Sequence, residues 1–240
     1  MTRSSALRTP PWLLDEVATA GRENLDPQHA ARYDAKENWP AVEEVRLVQA
    51  LGVPRDATVV DLGAGTGQFA LAACGDFRRV VAVDVSDVML GVLGAKAARA
   101  GAENLEIVKA GFLTYEHGGP AAGLVYSRYA LHHLPDFWKA LALRRMHAML
   151  APGGIVRLWD IVYSFDVAVA EQELEAWRSS LGETAPDGEW ARADIDDHIR
   201  DEHSTFTWLL EPMCVRAGFT VEQSEYSEDG IFAKYVLRRS

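Results

Sequence analysis

The chain has 240 residues, 48% hydrophobic and 25% charged, which is ordinary globular composition and enough for one large domain or a core with a cap. Its 24 Lys and Arg against 35 Asp and Glu leave a formal net charge of −11, a field that repels duplex nucleic acid and anionic membranes, so neither is expected as a partner. Two cysteines, Cys74 and Cys214, build neither a disulfide scaffold nor a four-cysteine zinc site. They read as buried thiols in a reducing cytoplasm. No apolar run approaches the roughly 20 residues of a membrane span, and residues 1–8 lack the apolar core of a secretory signal.

In chain order, residues 1–50 carry Trp12, Tyr33, Trp39 and a helical run at 42–51, and read as an N-terminal helical lid. Short runs rich in Val, Ile and Leu follow at 57–62, 79–83, 105–109, 124–127 and 155–161. Their nearly continuous apolar character fits strands buried on both faces. Between them, 68–74, 87–100 and 136–150 space apolar residues three and four apart, as helices do. Pro152-Gly153-Gly154 is expected to end the last of these helices and turn the chain into a strand. Residues 163–206 form two polar helical stretches split by Thr184-Ala185-Pro186-Asp187-Gly188, an insertion expected above the carboxyl ends of the strands. A helix at 207–217 precedes alternating runs at 220–226 and 231–237, and Asp229-Gly230 between them signals a hairpin. The whole is expected to be one α/β domain with a mostly parallel sheet.

The sharpest local feature is Val59-Val60-Asp61-Leu62-Gly63-Ala64-Gly65-Thr66-Gly67, a buried strand running through a glycine turn into a helix. Glycines let the backbone turn tightly and let a ligand approach the peptide groups. Gln68 breaks the G-x-G-x-x-G spacing of dinucleotide enzymes, and no Lys-Ser/Thr pair makes a phosphate loop. Asp61 would repel a pyrophosphate and suits an ammonium or sulfonium. Asp84 closes Val81-Ala82-Val83-Asp84, where a carboxylate accepts hydrogen bonds from both ribose hydroxyls. A nucleoside joined to a cationic amino-acid tail satisfies both acids, and S-adenosylmethionine is that ligand.

At this point the sequence resembles the class I S-adenosylmethionine-dependent methyltransferases, most of all the small-molecule branch of quinone and natural-product enzymes. Four stretches carry the resemblance: Val60 to Gly67, Val83-Asp84-Val85-Ser86, Ala130-Leu131-His132-His133-Leu134, and Leu150-Ala151-Pro152-Gly153-Gly154. The resemblance implies a Rossmann-like seven-stranded sheet in the order 3-2-1-4-5-7-6 with strand 7 antiparallel, and helices on both faces. It implies that Asp61, Gly63, Ala64, Gly65 and Gly67 hold the methionine end, Asp84 the ribose, and Val85 the adenine. Tyr33, Gly111, Phe112, Ser127 and Arg128 complete the expected cofactor site. The acid that the family places after the third strand is missing, because Lys109-Ala110-Gly111-Phe112 stands there. Phe112 stacking and a backbone carbonyl are the two alternatives for reading the adenine. The fourth strand's opening Asp is also absent from Ala122-Gly123-Leu124-Val125.

Methyl transfer from a sulfonium is a direct displacement, so the cofactor carries the reactive chemistry and no catalytic triad need appear. Of the adjacent histidines, one is expected to pack under the sheet edge. His132 is assigned to reach the acceptor as a general base, with Tyr163 as a second catalytic candidate. No metal is expected, since no Cys or carboxylate sits at ligand spacing from the pair. His198 and His203 are expected on a solvated helix face. The acceptor is read as a small molecule, and the protein as a monomer or homodimer. Two rival readings are a cofactor-binding protein of the same fold without turnover, and a nucleotide-dependent oxidoreductase.

Overall fold

The computed structural model describes residues 10–21, 23–36, 39–183 and 190–240. The loop expected over 184–188 and the first eight residues lie outside these.

The strands are β1 Thr58–Leu62, β2 Arg79–Asp84, β3 Leu105–Lys109, β4 Ala122–Arg128, β5 Leu150–Tyr163, β6 Thr205–Phe206, β7 Phe219–Tyr226 and β8 Phe232–Arg239. They run in the order β3-β2-β1-β4-β5-β8-β7, with β6 paired to β5 off this path. β8 is antiparallel to β5, from Ile155 opposite Arg238 to Ile161 opposite Phe232. Setting aside the two-residue β6, which no sequence pattern marked, this is the expected seven-strand order. One expectation fails at the edge: β3 is not covered on both faces, and Ile107 is exposed. An edge strand has only one neighbour to pack beside, and here charged Glu106 and Lys109 blunt it. β5 also starts earlier than expected. Leu150 already pairs with Ala122, and the Pro-Gly-Gly segment is an irregularity within the strand, with Gly153 at φ +75.

The helices are α1 Pro27–Lys36, α2 Ala41–Ala50, α3 Gln68–Ala73, α4 Asp87–Ala100, α5 Asp136–Met149, α6 Ala170–Ser179, α7 Arg192–Asp201 and α8 Thr207–Ala217. Alternate residues of the central strands feed two cores. Val60, Val81 and Val125 pack with Leu143 and Met146 of α5 and Leu210 of α8. Val59, Val80 and Leu124 pack with Val45 of α2, Phe69 of α3 and Leu93 of α4. That two-residue period puts one apolar layer on each face of the sheet.

Caps are local. The Ser86 hydroxyl accepts the Met89 N–H at 3.2 Å to open α4, and Gly101 closes it at φ +62. One buried ion pair crosses the second core: Arg157 of β5 donates from Nε to Glu44 Oε1 of α2 at 2.6 Å.

Candidate active site

The turn after β1 is built by glycines in the left-handed region, with φ +74 at Gly63, +53 at Gly65 and +80 at Gly67. Their reasons differ. A Cβ on Gly63 would stand 2.2 Å from the Ala130 Cβ, and one on Gly67 would stand 2.1 Å from Leu93 Cδ1. A Cβ on Gly65 would meet nothing nearer than Tyr33 Cε1, at 3.8 Å. Packing therefore demands the outer two glycines, while Gly65 leaves open space over its peptide. Asp84, at the end of β2, braces that peptide: its Oδ2 accepts the Gly65 N–H at 2.8 Å and its Oδ1 accepts the Ser86 N–H at 2.8 Å. Each oxygen keeps a further lone pair for a ligand.

A cleft with an empty volume of about 600 Å³ opens beside this turn, at the carboxyl ends of β1 and β2. Asp84 lies on its floor, and Val85, Met89 and Phe112 supply apolar walls. Past Tyr33 and Gly63, which line both, the cleft continues into a second hollow of about 320 Å³ bounded by Asp61, Ala64, Trp39, Tyr126 and Arg128. Burial, and then the neighbouring Asp84, push the Asp61 pKa up to about 8. Opposite charge comes from Arg128, whose guanidinium carbon is 4.6 Å from the Trp39 ring centre, 4.2 Å from Tyr129 and 4.6 Å from Trp159. Such an aromatic cage holds a cation in place. Tyr129 itself sits at φ +50, a costly backbone state for a non-glycine residue and one that collects at functional sites. The Tyr126 hydroxyl in this hollow is buried without a hydrogen-bond partner among the described residues. A ligand that met it would remove that cost.

The residue that sequence reading missed is Glu16. Its carboxylate reaches across the cleft to fill the space a side chain on Gly111 would occupy, 2.4 Å from the ideal Cβ position there. It accepts the Leu113 N–H at 3.1 Å and the Thr114 hydroxyl at 3.2 Å. Burial raises its pKa, against the pull of those hydrogen bonds. The chain thus brings an acid to the end of β3 from 97 residues away. The only available signal was the lack of an acid at Gly111-Phe112.

The expected cofactor residues Tyr33, Asp61, Gly63, Ala64, Gly65, Asp84, Val85, Gly111, Phe112 and Arg128 come together around the two hollows. Gly67 does not line them and serves the turn's packing, while Ser127 is wholly buried in β4. The two catalytic assignments need correction. His132 points away from the cleft, its Nδ1 2.5 Å from Asp160 Oδ1 and its Nε2 3.0 Å from Glu202 Oε2. Burial alone would lower its pKa, but the two carboxylates outweigh that and push it up to about 10, so it is a cation rather than a base. Tyr163 packs among Phe165 and Phe206, with ring centres 5.2 and 5.7 Å away, and burial raises its hydroxyl to about 12.

It is His133 that lines the cleft, close to Asn24. Burial and the charge on His132 press its pKa down to about 3. His198 is likewise not solvated. It is buried against Glu202, because α7 turns this face toward the His132 turn. Trp12 is exposed and stacks on Trp138 outside the cleft.

Residues 59–154 match the family model described as a methyltransferase domain. A ubiquinone/menaquinone biosynthesis C-methyltransferase of Enterobacter sp. (strain 638) is 31% identical over 134 residues, 52% of this chain and 53% of that protein. An uncharacterized methyltransferase of Geobacillus kaustophilus is 24% identical over 175 residues, 73% of this chain and 74% of that protein. The chain spans about half the length of the first curated relatives it matches. Among solved structures, the magnesium protoporphyrin IX methyltransferase of Synechocystis PCC 6803 with bound SAM superposes with a TM-score of 0.60 at 13% identity, covering 97% of this chain and 100% of that one. That last likeness is one of fold.

Proposed function

We propose that the protein, whose residues 59–154 match a methyltransferase domain, transfers a methyl group from S-adenosylmethionine to a small-molecule acceptor by in-line displacement. One observation carries the reading: Asp84 and an apolar slot at one end of the cleft are joined, past the glycine turn, to a hollow holding Asp61 and Arg128 together. A ribose with two hydroxyls suits Asp84, and a flat purine suits the slot between Val85, Met89 and Phe112. An acid and a caged guanidinium match the ammonium and carboxylate of an amino-acid tail. The cofactor supplies a methyl group on a sulfonium, already activated for displacement.

The protein's own part is to bind, orient and keep water out. Asp61 and the peptides of Gly63 to Gly65 fix the tail. Glu16 reads the purine by accepting from its exocyclic amino group, in place of the acid missing after β3. Tyr33 stands over Gly65, and with Trp39 and Tyr129 offers flat apolar surface to an acceptor beside the tail. Residues 10–21 and 23–36 act as one lid. Residues 163–183 and 190–206 act as a second, which backs the His132-His133 turn rather than the acceptor. The −11 charge supports a small, non-nucleic-acid acceptor, and the reading carries with it a cytoplasmic protein acting as monomer or homodimer. Among the described residues, no helix is long and apolar enough to cross a membrane.

The test is radiolabelled methyl transfer to a panel of phenols, quinols and amines, alongside calorimetric binding of S-adenosylhomocysteine. Labelled product supports the reading. Tight cofactor binding without any labelled product would favour the non-catalytic alternative.

A further inference from the structure

We propose that His132, His198 and Glu202 form a binding site for a divalent transition cation of the zinc class, fastening the inserted helix α7 to the core. The sequence showed no carboxylate at ligand spacing from His132; the fold supplies one from 70 positions further along the chain. One donor atom from each residue lies within 4.8 Å of the others. His132 Nε2 stands 3.0 Å from Glu202 Oε2, and His198 Nδ1 contacts the same oxygen. Metal bonds of about 2.0–2.1 Å at tetrahedral angles place ligand atoms about 3.3 Å apart, so the trio needs only small adjustments. Two imidazoles and a carboxylate suit zinc and its first-row neighbours, and not the all-oxygen shells of calcium or magnesium.

The outer nitrogens give independent support. A ligating imidazole normally has its second nitrogen held by a carboxylate or another polar group, which fixes ring and tautomer. Here His132 Nδ1 is held by Asp160 Oδ1 at 2.5 Å, and His198 Nε2 lies 2.9 Å from the Ser204 hydroxyl. Asp160 is itself fixed by the His132 and Ile161 backbone N–H groups, at 3.0 and 2.8 Å. Both histidines therefore turn their remaining nitrogen onto Glu202. Charge adds a third argument. Glu202 pairs with imidazoles on every side, including His133 at 3.8 Å, and Asp160 lies buried behind them. A divalent cation balances those two carboxylates while leaving the imidazoles in the neutral form that ligates. An entry path exists, since a neighbouring hollow reaches His198 and Glu202 past Asp194, Asp197 and Asp201. The site joins the end of β5 and the turn after β4 to α7, and stands apart from the proposed methyl transfer.

The experiment uses untagged full-length protein, treated with chelator, dialysed against zinc or cobalt(II), and freed of excess metal. We expect one equivalent of zinc per chain by plasma mass spectrometry and visible ligand-field bands with cobalt. His198→Ala and Glu202→Ala should each lose both signals, while Glu171→Gln, at an exposed position of α6, keeps them. X-ray absorption of the zinc-loaded wild type should show two imidazole ligands, a readout that holds even if a variant fails to fold. Wild type that retains no metal overturns the proposal, as does metal without imidazole scattering. Full retention in folded His198→Ala and Glu202→Ala does so equally.

Discussion

The two halves of the cleft are made in opposite ways. The β1–β2 half is assembled within a few dozen residues: the Gly63 and Ala64 N–H groups donate to Val83 O at 2.9 and 3.0 Å, and Asp84 braces Gly65. The capping half is assembled at long range. Glu16 meets Leu113, and the Ser86 hydroxyl donates to Asn24 O at 2.6 Å. Short-range geometry constrains residue types at fixed spacing, whereas long-range pairing constrains only that complementary groups meet somewhere. Substitutions in the first half should therefore damage the fold or all ligand binding, and those in the second should change selectivity with little cost in stability.

The largest expected effect lies in the scaffold under the first half. Glu44→Ala leaves Arg157 buried and unpaired, and should cost about 3–5 kcal/mol in chemical denaturation. A loss below about 1 kcal/mol would show that water reaches Arg157. Next, Gly63→Ala should cost about 2–4 kcal/mol, because the new methyl collides with Ala130 in a left-handed backbone. Gly65→Ala should cost only the backbone strain, about 1–2 kcal/mol, and instead weaken cofactor binding. Equal stability losses in the two variants would erase the distinction between packing glycine and cradle glycine.

These sites also show what the sequence made legible. The parallel strands and the turn carrying Asp61, Gly63 and Gly65 were legible in apolar runs and glycine spacing, because buried parallel strands and positive φ leave few residue choices, whereas the strand order came from the family resemblance. His132 was misassigned for a physical reason. Spacing says that adjacent side chains diverge, but only the fold says which one meets Asp160. Tyr163 looked available at a strand end until Phe206, from the unforeseen β6, covered it. Glu16 and His198 carry no local pattern at all.

Smaller effects sharpen the comparison at the ligand. Asp84→Ala should weaken S-adenosylhomocysteine binding by about 1.5–3 kcal/mol, ten- to more than a hundredfold in Kd by calorimetry. Asp61 holds its proton below about pH 8. A cationic tail binds the ionised form, so binding should release a proton at neutral pH. Cofactor affinity should then rise with pH by at most about tenfold per unit and flatten above about 8. Titrations in buffers of differing ionisation enthalpy report that proton, and a pH-independent Kd would contradict the placement of the tail. The smallest effect belongs to the cap. Glu16→Gln should cost about 1 kcal/mol for the adenine ligand and narrow its preference over the hypoxanthine analogue, with melting temperature nearly unchanged.

The most direct measurement is a crystal structure of the protein with S-adenosylhomocysteine. The ribose hydroxyls are expected on Asp84, the amino-acid tail between Asp61 and Arg128, and the purine amino group facing the Glu16 carboxylate. A ligand seated elsewhere, or one whose purine lies in this slot with Glu16 displaced to solvent, would contradict that placement.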